Sequence, residues 1–252
     1  MRPKKLFSTT LVALSLGWFA VGEYPQLVFG SPQIVGRFSI YGQTGRPEQM
    51  RRVLENSERL VQKYEGTLPS SIRVIMSTPF VYSIVNPMAR NAFAVTRGIG
   101  NVVWIRDGTF ADDLSFSGHN KNNRRSLSGA IAHETIHVAL NADPRGIKSS
   151  SLPSWLEEGY CDYVANETSY PFDEGVSRLL TDSWKTDVSF QYFQYYAAVR
   201  YLIETEKKSF VEIVRRAADL NYHDLAMQFA RRASTNNDSK YDQEADTNVK
   251  SQ

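Results

Sequence analysis

Two histidines and a glutamate carry the strongest chemical signal in this 252-residue chain, in the run His133-Glu134-Thr135-Ile136-His137. On a helix, positions i and i+4 share a face with their Cβ atoms roughly 5–6 Å apart, so both imidazoles can converge on one tetrahedral metal ion. Glu134 sits about 100° further round the helix, where its carboxylate can reach a metal-bound water without ligating the metal. With 4 His and 14 Glu in the chain, chance supplies roughly 0.004 copies of such a pattern. The plain alternative is a polar patch or a hydrogen-bonded pair of core histidines. About twenty residues further on, Pro153-Ser154-Trp155-Leu156-Glu157-Glu158-Gly159-Tyr160-Cys161-Asp162-Tyr163 offers two competing carboxylates, Glu157 and Glu158, for a third ligand position. Catalytic zinc commonly takes two His and one carboxylate and leaves its fourth position to water.

Both motifs read as helical. Ser126 or Ser128 can cap the first helix, which is apolar from Ala130 through Leu140 apart from the motif and stops at Asp143-Pro144. Burying His133, Glu134 and His137 in so apolar a helix is costly without partners, which a metal would supply. In the second helix Trp155, Leu156, Tyr160, Tyr163 and Val164 recur at helical spacing. Gly159 is a poor helix former there, and a close approach between the two motif helices would account for it. Cys161, the only cysteine, reads as a small buried filler, and no internal disulfide is available. A third segment, Phe190 to Glu204, is dense in aromatics at helical spacing, the ordinary pattern of a core.

The pair of motifs, His133-Glu134-x-x-His137 followed by Trp155-Leu156-Glu157-Glu158-Gly159, resembles the gluzincin metallopeptidases, the group that contains thermolysin and the aminopeptidase N family. The resemblance implies that Glu158, immediately before Gly159, is the third zinc ligand, with Glu157 a variable, solvated position. It implies that Asp162, one turn later, holds a ligating histidine by its other ring nitrogen, fixing tautomer and orientation. It also carries over an oxyanion-stabilising tyrosine nine residues before a Tyr-Leu pair. Counting back from Tyr201-Leu202 gives Tyr192, with Tyr195, Tyr196 and His223 as fallbacks; His119 receives no role. The expectation is one Zn²⁺ per chain acting on a peptide or protein substrate. Amide hydrolysis would pass through a tetrahedral intermediate, with Glu134 as general base. The Gly-x-Met-Glu-Asn signature by which aminopeptidases capture a free amine has no counterpart here, which favours endopeptidase action. Two other classes stay open: a binding module in which zinc only braces helices, and a zinc hydrolase of non-peptide amides.

The fold class expected is α+β, a small mixed sheet lobe followed by a mainly helical lobe, as in a zincin-like catalytic domain. Residues 1–30 read as a signal peptide or membrane anchor, 31–233 as the peptidase domain with halves 31–106 and 107–233, and 234–252 as a disordered tail. Ile34 to Tyr41, Ile72 to Met76, Val81 to Val85 and Asn101 to Arg106 suggest strands, and Pro47 to Tyr64 a helix. Asp107 to Arg125 reads as a long polar connection. Arg2, Lys4 and Lys5 precede a charge-free stretch from Leu6 to Gly22, with a small-x-small site at Ala20-Val21-Gly22, the pattern of an export signal. The catalytic part is therefore expected outside the cytoplasm, with membrane association through residues 6–22 if the segment is retained. Without residues 1–22 the net charge falls from +2 to −1, and nothing in the charge pattern points to nucleic acid.

Overall fold

Residues 38–42, 72–76 and 102–105 are apolar at most positions, as expected of strands covered on both faces. In the computed structural model they form the middle of a mixed five-stranded sheet. The structure describes residues 23–42, 45–97, 100–118, 123–181 and 187–249, the last fourteen of these by backbone alone. The apolar stretch 6–22 with its cleavage site, and His119, lie outside the described residues. The architecture is α+β, and the chain divides into two units, Met1–Gly146 and Ile147–Gln252.

In the first unit a helical turn at Gln26–Phe29 precedes β1 (Gln33–Val35) and β2 (Phe38–Gly42). One strand was expected over Ile34 to Tyr41; instead the two strands pair antiparallel around Gly36-Arg37. Gly36 takes φ +58°, a conformation open to glycine, and the chain reverses in two residues. The amphipathic helix α1 (Pro47–Val61) then carries the chain to β3 (Ile72–Met76), parallel to β2. Next comes α2 (Pro79–Val85), where a strand was expected from Val81 to Val85. Thr78 caps it by accepting the Val81 N–H, and Pro79 presets the backbone at the first helical position. These start signals override the β preference of the valines and Ile84. Strands β4 (Ala94–Arg97) and β5 (Val102–Ile105) complete the sheet in the order β1-β2-β3-β5-β4, with β4 an antiparallel edge.

Where a polar connection was expected over 107–125, residues 108–126 include a second, three-stranded antiparallel sheet of β6 (Gly108–Thr109), β7 (Leu114–Phe116) and β8 (Arg124–Ser126). It leads straight into α3 (Leu127–Asn141), the helix of the His-Glu-x-x-His motif. One face of the large sheet, through Phe38, Ile40, Val74, Val103 and Ile105, packs with Met50, Val53 and Leu54 of α1 and Leu127, Ile131 and Val138 of α3. The other face presents Tyr41, Ile75, Val102 and Trp104 to Tyr82 of α2 and to Phe29.

The second unit is helical among its described residues: α4 (Ser154–Ala165), α5 (Phe172–Leu180), α6 (Val188–Arg200) extended by a π-helical turn (Tyr201–Thr205), α7 (Phe210–Arg216) and α8 (Tyr222–Val249). The backbone of α8 runs through 234–249, where the sequence suggested a disordered tail. Aromatic rings fill the spaces between these helices. Tyr160 stacks on Phe210 at 3.7 Å between centroids, and Tyr222 sits between Trp155 and Tyr195. The purpose of Gly159 differs from the expectation of an approach between the motif helices. A Cβ there would collide with the Tyr195 carbonyl and lie 2.9 Å from Val199 Cγ2, so the glycine admits α6 against α4. Among the described residues no helix is long and apolar enough to cross a membrane.

Candidate metal centre

Helix α3 owes its position to polar anchors at both ends. At its start the Ser126 hydroxyl accepts the Gly129 N–H at 2.9 Å. Asp113, on the turn before β7, accepts the Ser128 N–H and hydroxyl at 2.7 and 2.8 Å. Asn56 and Ser57 of α1 reach the same turn, donating to Ser128 Oγ at 2.7 Å and to its carbonyl at 2.9 Å. Past its end, buried Asp143 accepts the Tyr64 hydroxyl at 2.8 Å and the Arg145 guanidinium at 2.6 Å. Those bonds hold the Asp143 carboxyl at a pKa of about 2, with the Arg145 guanidinium the leading cause. A helix tied at both ends cannot rotate about its axis without breaking several such bonds, so its motif face is fixed.

On that face His133 and Glu134 are buried and His137 half-buried. The His133 and His137 Nε2 atoms lie 3.2 Å apart with the rings at 62°. Two nitrogens each about 2.0–2.1 Å from one tetrahedral ion are separated by roughly 3.3 Å, so the pair fits a shared metal. An N–H···N bond between neutral rings spans a similar distance and competes for the same lone pairs. Glu134 is held from the sheet: the Thr96 hydroxyl on edge strand β4 lies 2.7 Å from Glu134 Oε2 and 2.9 Å from the Glu134 carbonyl. Burial raises the Tyr82 pKa, and the nearby Glu134 charge raises it further.

The remaining candidates stand in the second unit, on α4 and α6. Glu157 and Glu158 are both half-buried, and their surroundings separate them. Glu157 accepts a hydrogen bond from the Ser149 hydroxyl, so it is engaged by its own unit rather than merely solvated. Glu158 lies within electrostatic reach of Tyr195, whose pKa is raised first by burial, then by its neighbour Tyr222, and to a lesser degree by the Glu158 charge. Asp162 is fully buried, and Cys161 is a buried thiol in no disulfide. Tyr192 is half-buried, with its ring 5.9 Å from that of Tyr195. His223 is half-exposed at the start of α8, its backbone N–H bonded to Asn221 Oδ1.

Thr96 was missed in the sequence because β4 was missed. The alternating Ala94-Val95-Thr96-Arg97, followed by the glycine-containing Gly98-Ile99-Gly100-Asn101 and the apolar Val102-Val103-Trp104, reads in retrospect as a hairpin sequence. No family model matches the chain, and no curated protein matches it in sequence.

Proposed function

We propose that this chain is a zinc-dependent metallopeptidase of zincin-like fold, acting as an endopeptidase on peptide or protein substrates outside the cytoplasm. The observation that carries the reading is the convergence of His133 Nε2 and His137 Nε2 to 3.2 Å beside a glutamate tethered by an edge strand. His133 and His137 would hold the ion, with Glu158 assigned as the third ligand by the resemblance of its motif. Bound zinc supplies Lewis acidity and lowers the pKa of its water toward about 7.

Glu134 takes the proton of the attacking water and returns it to the leaving amine. The Thr96 hydroxyl occupies Glu134 Oε2 and leaves Oε1 for that exchange. Asp162 is assigned to steadying a ligating imidazole, and Tyr192 to hydrogen bonding the developing oxyanion. Strand β4 stands last in the sheet order beside α3, and an extended chain can add to a sheet edge by backbone hydrogen bonds, which supports a peptide as substrate.

Zinc content of the full chain tests the proposal. The expected result is one zinc per chain, lost in Glu158→Gln and kept in Glu157→Gln. Glu134→Gln should keep zinc and lose peptide hydrolysis by about 10²–10⁴-fold, the range of a positioned base. No zinc in the wild type after reconstitution overturns the reading. Full function in Glu134→Gln would turn it into a bracing module.

A further inference from the structure

The face of the large sheet turned away from α3 is covered by two short elements, and both are apolar on the outside as well as the inside. The turn Gln26–Phe29 sends Phe29 against Trp104, ring centroids 5.9 Å apart, while α2 sends Tyr82 and Val85 into the same cluster. Outward, Leu27 is 77% and Val28 58% exposed, Phe80 74%, Ile84 63% and Met88 99%. Tyr24 is exposed beside them in sequence. Large apolar side chains scattered singly on a surface need no explanation, but a group on one layer marks a contact surface.

The surrounding sequence says what the contact is. Residues 24–36 carry no charged side chain, and residues 78–92 carry one, Arg90, in a protein that is 22% charged. Segments without acids suit a lipid headgroup layer, where aromatic and aliphatic side chains enter the interface and basic ones, here Arg90 with Arg97 and Arg106 donating to the Val85 and Arg90 carbonyls, meet anionic lipid. The chain immediately before it is the uncharged run Leu6 to Gly22. A helix of that length rises about 26 Å, close to the hydrocarbon thickness of a bilayer. Leu27 follows Gly22 by five residues, an extended reach of roughly 17 Å at most. The entry point is pinned as well: Arg73 donates to the Glu23 carbonyl at 2.6 Å and pairs with its carboxylate at 3.2 Å. Lipid holding residues 6–22 therefore brings Tyr24 to Val28 to its surface.

The geometry points to Tyr24, Leu27, Val28, Phe80, Ile84 and Met88 as a bilayer-docking surface of the first unit, seated in the lipid interface next to the N-terminal apolar segment. Docking through this face turns the opposite face of the sheet, with α1 and α3, toward the aqueous side. The inference is independent of the metal chemistry.

Full-length protein carrying an environment-sensitive fluorophore at Ile84→Cys or Leu27→Cys tests it, with Glu55→Cys on exposed α1 as the control and buried Cys161 left in place. Vesicles of phosphatidylethanolamine and phosphatidylglycerol should shift the emission at both docking positions to the blue. Brominated acyl chains should quench it there, and position 55 should not respond. The inference is overturned if protein bound to vesicles shows no difference among the three positions, or if the full chain stays off the vesicles. A blue shift without lipid also overturns it. If that shift grows with protein concentration the occupant is a second copy; if it is independent of concentration the occupant is a segment of the same chain.

Discussion

The two units hold their motif helices by different means. In the first, side-chain hydrogen bonds join residues some seventy positions apart: Asn56 and Ser57 to Ser128, and Tyr64 to Asp143. In the second, α4 is met by stacked rings, Tyr160 on Phe210 and Trp155 on Tyr222, and by the close passage of α6 at Gly159. Hydrogen bonds fix direction as well as distance, whereas ring packing fixes shape and tolerates small rotations. If His133 and His137 share a metal as proposed, a pair that must aim two lone pairs at one point gains most from the first kind of support. On the proposed reading, a helix that contributes a flexible glutamate can rely on the second.

Shape support makes its own prediction, and the largest effect on stability. Gly159→Ala places a Cβ 2.7 Å from the Tyr195 carbonyl carbon, and backbone on backbone has little room to yield. Overpacking of this kind costs typically 1–3 kcal/mol, and about 2–3 is expected here because no side chain can move aside. Denaturant unfolding followed by near-ultraviolet dichroism should show the aromatic signal lost earlier, by the same amount at every pH. A neutral substitution would mean that α6 does not pass α4 as closely as Gly159 suggests.

Directional support predicts a pH-dependent loss instead. The Asp143 carboxyl is held at about 2, below its usual value of about 3.9. A carboxyl depressed by folding contributes stability that is fully present above the unfolded value and is lost as pH falls through the folded one. Wild-type stability should therefore drop by about 2 kcal/mol between roughly pH 4 and pH 2 on this account. Asp143→Asn should be destabilised by about that much at neutral pH and lack this part of the acid dependence, as acid and denaturant titrations would report. An unchanged acid limb in the variant would remove Asp143 from the anchoring of α3.

What the sequence made legible follows the same division. The α3 and α4 helices, α1 and the strands at Ile72 and Val102 announced themselves through spacing, because periodicity records which side of an element is buried. The Gly36 reversal and α2 did not, since one turn residue and one cap decided them against a β-like composition. Ser126 was legible as a cap, with Ser128 as its alternative, but Ser57 was not singled out and Asp113 looked like part of a polar connection, and both anchor α3 through Ser128. Partners that meet across fifteen to seventy-nine positions leave no periodic trace. The same holds for Gly159, whose smallness was legible while the helix it admits was not.

Thr96 gives the smallest and most specific test, because it asks whether directional support extends from the ends of α3 to its chemistry. The hydroxyl of Thr96 is 2.7 Å from Glu134 Oε2, and on the proposed mechanism that bond holds the base rather than the metal. Thr96→Val keeps the shape of the side chain and removes the donor, at a cost of about 1 kcal/mol for one hydrogen bond. Appearing in the barrier, that is roughly a 5-fold fall in kcat, with KM and zinc content unchanged. Thr96→Ser should restore the rate, since it returns the hydroxyl. Loss of zinc in Thr96→Val would instead make the strand a brace for the helix. Equal rates in all three proteins would leave Glu134 positioned by α3 alone, and the difference between the two kinds of support would then stop at the helix ends.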